Sequence, residues 1–175
     1  TDSSGIEVRS TGTSAGEETI IANNTIYRNG LHGVQLRGNY CIVEDNEVHN
    51  NGISGMPGTS GIHLYSPDLA YPAADNNIIR RNRVSHQHDT DAWDGNGIQA
   101  DHYCDNNEIY ENVIFMNHSA GISLHDSSNN DVYDNILYGN VVDPGFTRPE
   151  KAEISMTSKS PDLDRIVSNT VIDNI

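Results

Sequence analysis

The sequence is short of positive charge and of long apolar runs. Ten Lys and Arg residues stand against 25 Asp and Glu residues, which gives a formal net charge of −15. Such a charge repels phosphates, so we expect no nucleic-acid partner. No apolar run reaches the length of about 18 residues that a membrane-spanning helix needs, so we expect no membrane partner either.

Cysteine is also scarce, since only Cys41 and Cys104 occur. The repeat described below places them in turns two coils apart, roughly 9.6 Å if neighbouring strands stack at the usual spacing. That separation exceeds the reach of a disulfide. We therefore expect two free thiols.

Asparagine is abundant and recurs in the phrase apolar-x-x-Asn-x-apolar-x-x-Asn, with Gln replacing the last Asn in one copy. Six copies begin at Ile21, Val43, Ile79, Ile109, Val132 and Ile166. Asn suits turns because it tolerates left-handed backbone and because its amide can bond to an Asn one coil away. The phrase therefore predicts a stacked ladder formed by Asn24, Asn46, Asn82, Asn112 and Asn135.

A second phrase, Gly-apolar-x-apolar, alternates with the first. Its copies begin at Gly5, Gly33, Gly61, Gly97 and Gly121, with a weaker copy at Glu153. The intervals between the glycines are 28, 28, 36 and 24 residues, which is typical of a solenoid with insertions of variable size. Within each phrase apolar and polar residues alternate, as they do in a strand with one buried face.

Together the two phrases predict an all-β fold, a right-handed parallel β-helix of about six coils with three short strands per coil. The residues expected inside the coils include Ile98, Ile109, Ile114, Ile122, Leu124 and Val132. Residues 1–175 should form a single domain with insertion loops at 66–75 and 86–96. Both ends lie inside strand phrases, so we expect a fragment of a longer chain or ends capped by further coils or another subunit.

The third and fifth residues of each Gly-apolar-x-apolar phrase should point outward and form two exposed rows. The third-position row is Glu7, Gln35, His63, Gln99, Ser123 and Ser155, and the fifth-position row is Arg9, Arg37, Tyr65, Asp101, His125 and Thr157. Residues at the same position of adjacent coils lie about 4.8 Å apart. Tyr65, Asp101 and His125 should therefore lie side by side.

An outward face can be polar merely because it is solvated, but two features favour a functional face. The fifth-position row becomes chemically bland at Thr157 and Ser158, and the two largest insertions flank its chemically rich middle. Trp93 in the second insertion could stack on a sugar ring or pack against its own loop. The same insertion holds His88, Asp89, Asp91 and Asp94, a candidate cation site or simply a solvated acidic loop.

The residue types on this face match the chemistry of uronate polysaccharides. Epimerisation at C5 or β-elimination needs a group that neutralises the carboxylate, a base for the C5 proton and an acid. Arg37, His63 or His125, and Tyr65 supply these types in that order. We expect no required cofactor, with Ca²⁺ as a candidate ion. The residues expected to bind substrate are Arg37, Gln35, Gln99, Trp93, His102 and Asp126.

A glycoside hydrolase remains an alternative, because it needs two carboxyl groups. Asp101 could pair with Asp126, Asp94 or Asp91. A non-catalytic solenoid that binds polysaccharide or serves as a structural element is a further alternative.

Nearly the whole chain resembles the parallel β-helix repeat superfamily, which includes pectate and alginate lyases, mannuronan C5-epimerases and several glycoside hydrolases. The mixture of Tyr, His, Asp and Arg on one strand face, and the segment 121–130, resemble the epimerase and alginate lyase branch. The Asp-Pro-His motif of those epimerases is absent, and no Lys lies on the central face. The resemblance implies an enzyme of extended polysaccharides and a secreted, periplasmic or cell-surface location.

Overall fold

The structure is a computed structural model that describes residues 3–9, 14–67, 74–89, 94–143, 152–158 and 166–175. Seventeen short strands lie in these ranges, which contain no helix. No segment of the described chain forms a helix that could cross a membrane.

The strands form three parallel sheets, which we name A, B and C. Sheet A contains β1 (Ile6–Val8), β4 (Val34–Leu36), β7 (Ser60–Tyr65), β10 (Asn96–Asp101), β13 (Ile122–His125) and β16 (Ile154–Thr157). Sheet B contains β2 (Thr19–Ala22), β5 (Cys41–Glu44), β8 (Ile78–Arg80), β11 (Glu108–Tyr110), β14 (Asp131–Tyr133) and β17 (Thr170–Ile172). Sheet C contains β3 (Thr25–Tyr27), β6 (Glu47–His49), β9 (Arg83–Ser85), β12 (Val113–Phe115) and β15 (Ile136–Tyr138).

Every third strand in the chain pairs with its predecessor in the same sheet, so each coil contributes one strand to each sheet. The register is the one that the repeated phrases predict. Ile98 lies opposite Ile62 on one side and Ile122 on the other. The predicted right-handed parallel β-helix of about six coils, with three strands per coil, is confirmed.

The interior of the coils is filled by the apolar residues of both phrases. The six residues predicted to lie inside are all fully buried, namely Ile98, Ile109, Ile114, Ile122, Leu124 and Val132. Burial of this apolar surface is the main favourable contribution to folding in such a narrow solenoid.

The predicted Asn ladder runs along one turn of the solenoid. Its side-chain amides donate to the amide oxygen of the next coil at 3.0 Å from Asn46 to Asn82, from Asn82 to Asn112 and from Asn112 to Asn135. The ladder Asn residues themselves do not have the left-handed backbone that was expected of them. The left-handed residue is the one before each ladder Asn, such as Glu111 with φ 53°, while the Asn side chain itself points inward to bond with the next coil.

The glycines that open the sheet A phrases are required by close packing. A Cβ on Gly97 would lie 2.5 Å from Cγ2 of Ile114 and 2.6 Å from the carbonyl oxygen of Gly121. The backbone φ of Gly97 is not in the left-handed region. Glycine therefore recurs here because the backbone of the next coil and side chains such as Ile114 leave no room for a side chain.

Both cysteines are buried free thiols, as predicted. Burial, together with nearby carboxylates that include Asp75 and Asp101, raises the pKa of Cys104 well above its ordinary value. A buried neutral thiol is a poor nucleophile.

We therefore expect Cys104 to resist alkylation by iodoacetamide in the folded protein at neutral pH and to react after denaturation. Mass spectrometry of the peptide that contains Cys104 measures both states. Complete labelling of Cys104 under native conditions, with the fold intact by circular dichroism, would contradict the buried position.

Candidate functional site

The fifth-position row forms the centre of the candidate site on the outer face of sheet A. Strand pairing places Asp101 directly opposite Tyr65 on one side and His125 on the other. The next coil adds Thr157 opposite His125. The predicted contiguous group of Tyr65, Asp101 and His125 is therefore confirmed as a set of neighbours on one face.

Apart from Glu7, which is exposed, the third-position row is buried, contrary to the expected exposure. The solvent-exposed fractions of Gln35, His63 and Gln99 are only 7%, 6% and 4%. The first residues of two strands cover Gln99, since the Ser60 hydroxyl donates to Oε1 of Gln99 at 2.6 Å and the Asn96 amide donates to the same oxygen at 3.1 Å. Gln35, Gln99 and His63 thus form a buried row beside the fifth-position row, and the structure does not place them on the surface as the sequence predicted.

A chain of hydrogen bonds fixes the orientation of His63. The backbone N–H of Ser60 donates to Nδ1 of His32 at 3.1 Å, and Nε2 of His32 lies 3.1 Å from Nδ1 of His63. We assign the proton of His32 to Nε2 and that of His63 to Nε2 from this pattern. Nε2 of His63 lies 3.5 Å from Oδ2 of Asp101. His63 therefore supports Asp101 from beneath the surface.

Asp101 is an ionised carboxylate in this environment. Burial would raise its pKa, but the contact with the Nε2–H of His63, together with the nearby His102 and His125, lowers the pKa below its ordinary value. Burial keeps the pKa of His32 well below its usual range, and the neighbouring His63 acts in the same direction. His32 is therefore neutral, and it contacts His63, which in turn faces the carboxylate of Asp101.

A second network surrounds His102 and Asp126, the residues that follow Asp101 and His125. Their backbone φ values of 53° and 48° are left-handed and end the two strands. His102 lies between two carboxylates, with Nε2 3.5 Å from Oδ1 of Asp101 and Nδ1 3.4 Å from Oδ2 of Asp126. The network links Asp101 to Asp126 across adjacent coils.

The last coil completes this network with residues that the sequence marked as bland. Nδ1 of His125 lies 2.7 Å from the Thr157 hydroxyl, and the Ser158 hydroxyl donates to Oδ1 of Asp126 at 2.5 Å. Thr157 and Ser158 were therefore misread in the sequence. They orient the histidine and the carboxylate beside them.

Arg37 provides the positive charge of the site. Its guanidinium carbon lies 5.3 Å from the centre of the Tyr65 ring. Within the described ranges Arg37 makes no ion pair, whereas Arg9 one coil earlier pairs with Glu7 at 3.0 Å. Such an arrangement leaves the Arg37 charge available to an anionic group on the outer face.

The second insertion lies beside this face where it is described. Asp94 has a raised pKa because of burial and of the nearby charges of Asp101 and Asp89, although His63 acts against the shift. Asp89 accepts a hydrogen bond from the Asp94 backbone at 3.0 Å, and Nδ1 of His88 lies 3.0 Å from Nε2 of His118. Residues 68–73 of the first insertion and residues 90–93 of the second, which include Asp91 and Trp93, lie outside the described residues.

One cluster of the described chain has the spacing for a single metal ion. Asp101, His102 and His125 each offer a ligand atom, and these atoms lie within 4.8 Å of one another. His102 was predicted only as a substrate ligand. His32 was missed, because nothing in a repeat shows that the residue before a glycine will fold over the strand face.

Comparisons with known proteins agree with the architecture. The crystal structure of the periplasmic alginate epimerase AlgG aligns with a TM-score of 0.56 and 20% identity, covering 89% of this chain and 39% of that chain. A double mutant of AlgG gives a TM-score of 0.57 and 19% identity over the same shares. This chain thus spans about two fifths of the AlgG chain. At this identity the likeness shows the fold alone.

No curated protein matches the sequence. The family model described as a right handed beta helix region matches residues 4–174, almost the full length. Its extent agrees with the coils seen in the structure. The chain therefore belongs to the right-handed β-helix family.

Proposed function

We propose that this protein acts on an extended uronate polysaccharide, by C5-epimerisation or by β-elimination. The observation that carries the proposal is the row of Arg37, Tyr65, Asp101 and His125, all partly exposed along one strand face. A parallel solenoid presents equal positions at regular intervals, so a linear polymer can follow the row.

Each step of either reaction has a matching group. Arg37 pairs with the uronate carboxylate and so favours removal of the proton at C5. His125 takes that proton, since an imidazole suits proton transfer near neutral pH. Tyr65 lies two coils away, roughly 9.6 Å along the sheet, so one sugar ring that lies over Asp101 reaches both side chains. Tyr65 is the acid, which returns a proton to C5 in epimerisation or protonates the leaving oxygen at C4 in β-elimination. Asp101 lies between the two, held by His63.

The similarity in fold to the periplasmic alginate epimerase AlgG supports this proposal. The same similarity favours a secreted, periplasmic or cell-surface location. The missing Asp-Pro-His motif means that His125 would have to supply the base from a different position in the repeat. The chemistry proposed here needs no cofactor.

A panel of polyuronates incubated in D₂O tests the proposal directly. Epimerisation places deuterium at C5, which NMR detects, and β-elimination creates a C4–C5 double bond that absorbs in the ultraviolet. Deuterium incorporation or absorbance on any member of the panel supports the proposal. Binding without either signal on every polyuronate would favour the non-catalytic solenoid.

A glycoside hydrolase is the second candidate. It is favoured by two nearby carboxyl groups whose pKa values are shifted in opposite directions. Burial raises the pKa of Asp94, whereas the pKa of Asp101 is lowered against the effect of its own burial. Two carboxyl groups whose pKa values are shifted in opposite directions are the asymmetry that glycoside hydrolysis uses. Release of reducing ends from a neutral or acidic polysaccharide, without ultraviolet absorbance, would identify this activity.

Arg37 gives a specific prediction for the uronate reaction. Replacing Arg37 by alanine should lower kcat/KM on a polyuronate by about 10–150-fold, the usual value of a hydrogen bond to a charged group. Arg9→Ala is the matched control, because Arg9 occupies the same position one coil earlier and is already paired with Glu7. Steady-state kinetics that show equal losses for the two variants would remove Arg37 from carboxylate recognition.

A further inference from the structure

Three side chains of the site have the composition of a transition-metal centre. Asp101, His102 and His125 offer one carboxylate and two imidazoles within 4.8 Å. We propose that these residues bind one divalent transition-metal ion of the zinc class. This binding does not depend on the reaction proposed above.

The spacing of the ligand atoms suits a small ion. Oδ1 of Asp101 and Nε2 of His102 lie 3.5 Å apart. Two ligands at zinc bond lengths in a tetrahedral site are about 3.4 Å apart. The two residues follow each other in the chain, and the left-handed backbone at His102, with φ 53°, turns its ring back towards Asp101. The strand pairing of Asp101 with His125 supplies the third ligand from the next coil.

A shell of polar contacts orients both imidazoles. Nδ1 of His102 lies 3.4 Å from Asp126, which directs Nε2 of His102 towards Asp101. Nδ1 of His125 lies 2.7 Å from the Thr157 hydroxyl. Carboxylate and hydroxyl partners on the far nitrogen of a histidine are typical of metal sites, where they fix the tautomer and the direction of the ring.

The ligand set selects the class of ion. Calcium prefers six to eight oxygen ligands, whereas imidazole and carboxylate together suit Zn²⁺, Co²⁺ and related ions. Three protein ligands leave one position of a tetrahedral ion open to water or to a substrate oxygen. The side chains are partly accessible, with 17%, 29% and 13% of their surface exposed in the order Asp101, His102 and His125. The net charge of −15 also favours accumulation of cations.

The bound ion would have a consequence for the uronate reaction. An imidazole nitrogen cannot hold a metal ion and accept a proton with the same lone pair. If His125 is the base, as the proposed function requires, the ion should inhibit turnover and a chelator should restore it. Only this consequence rests on the proposed function.

A titration with Co²⁺ tests the binding itself. The full chain is stripped with a chelator, dialysed and titrated while the visible absorption of the cobalt is recorded, with calorimetry for the stoichiometry. We expect one ion per chain, with the strong bands of four-coordinate cobalt, and displacement by Zn²⁺. A weak spectrum of six-coordinate cobalt, or no uptake, would overturn the proposal.

Variants locate the ion. His102→Gln and Asp101→Asn should each lower the affinity for Co²⁺ by more than tenfold, and Asp126→Asn by about 10–100-fold because it removes the partner of His102. His49→Gln, on sheet C, is the matched control and should bind as the wild type does. His88→Gln tests the acidic second insertion.

Each result has a defined meaning. Loss of binding in His88→Gln, with retention in His102→Gln, would move the ion to the second insertion and refute the assignment. Circular dichroism and the thermal midpoint of each metal-free variant show whether the fold is retained, and two independent ligand variants guard against the failure of one. Cobalt binding without any polysaccharide activity would leave the metal site standing and would count against the proposed function alone.

Discussion

Replacing His125 by alanine is expected to lower kcat on a polyuronate by about 10²–10⁴-fold, the contribution of a well-placed general base or acid. His125 is only partly exposed, and its ring is held by the Thr157 hydroxyl at 2.7 Å. It lies outside the hydrophobic core, so the substitution should cost little stability. Initial rates, measured in the presence of a chelator so that metal inhibition plays no part, check the prediction.

Two comparisons separate catalysis from other effects. His49→Ala, a histidine on sheet C that stacks on Tyr27, should retain the wild-type rate. Thr157→Val should lower the rate less than His125→Ala, because it removes the orienting partner and keeps the imidazole. A folded His125→Ala protein with full activity would exclude His125 from the mechanism. The pair of Asp94 and Asp101, and hence hydrolysis, would then be the better explanation.

The fold could be predicted from the sequence because each repeated phrase corresponds to particular strands and to their pairing with the next coil. The alternation of apolar and polar residues fixes which side of each strand faces inward, and equal phrase positions fix the register. The pairing of Asp101 with Tyr65 and His125 followed from this register alone. The ladder of Asn46, Asn82 and other members followed in the same way.

The surroundings of the strand face could not be predicted in this way. Alternation shows which face His63 is on, but it does not show that His32 folds over that face and buries it. The contribution of Thr157 depends on its distance from His125, and a hydroxyl in a repeat carries no signal of that contact. Local loops and hydrogen-bond partners, and not the repeat, therefore determine which polar residues are exposed and which are buried and orient their neighbours.

The Asn ladder gives the largest expected effect on stability, in the variant Asn112→Ala. The Asn112 amide donates to the backbone oxygens of Ile79 and Tyr110 and to Oδ1 of Asn135, at 2.9, 3.0 and 3.0 Å. Its oxygen accepts from the backbone and the side chain of Asn82, both at 3.0 Å. Each buried group left without a partner costs about 1–3 kcal/mol. Since several lose their partner together, we expect a loss of more than about 3 kcal/mol in the free energy of unfolding.

The position of Asn112 in the middle of the ladder provides its own control. Asn24, in the first coil described, donates to Asn46 at 3.0 Å and to Ala22 at 2.9 Å, and it is only partly buried. Asn24→Ala should therefore cost clearly less than Asn112→Ala, although the substitution is the same. Chemical denaturation of both variants measures the difference. Equal losses would mean that the loss of stability does not depend on how deeply the ladder amide is buried or on how many partners it has.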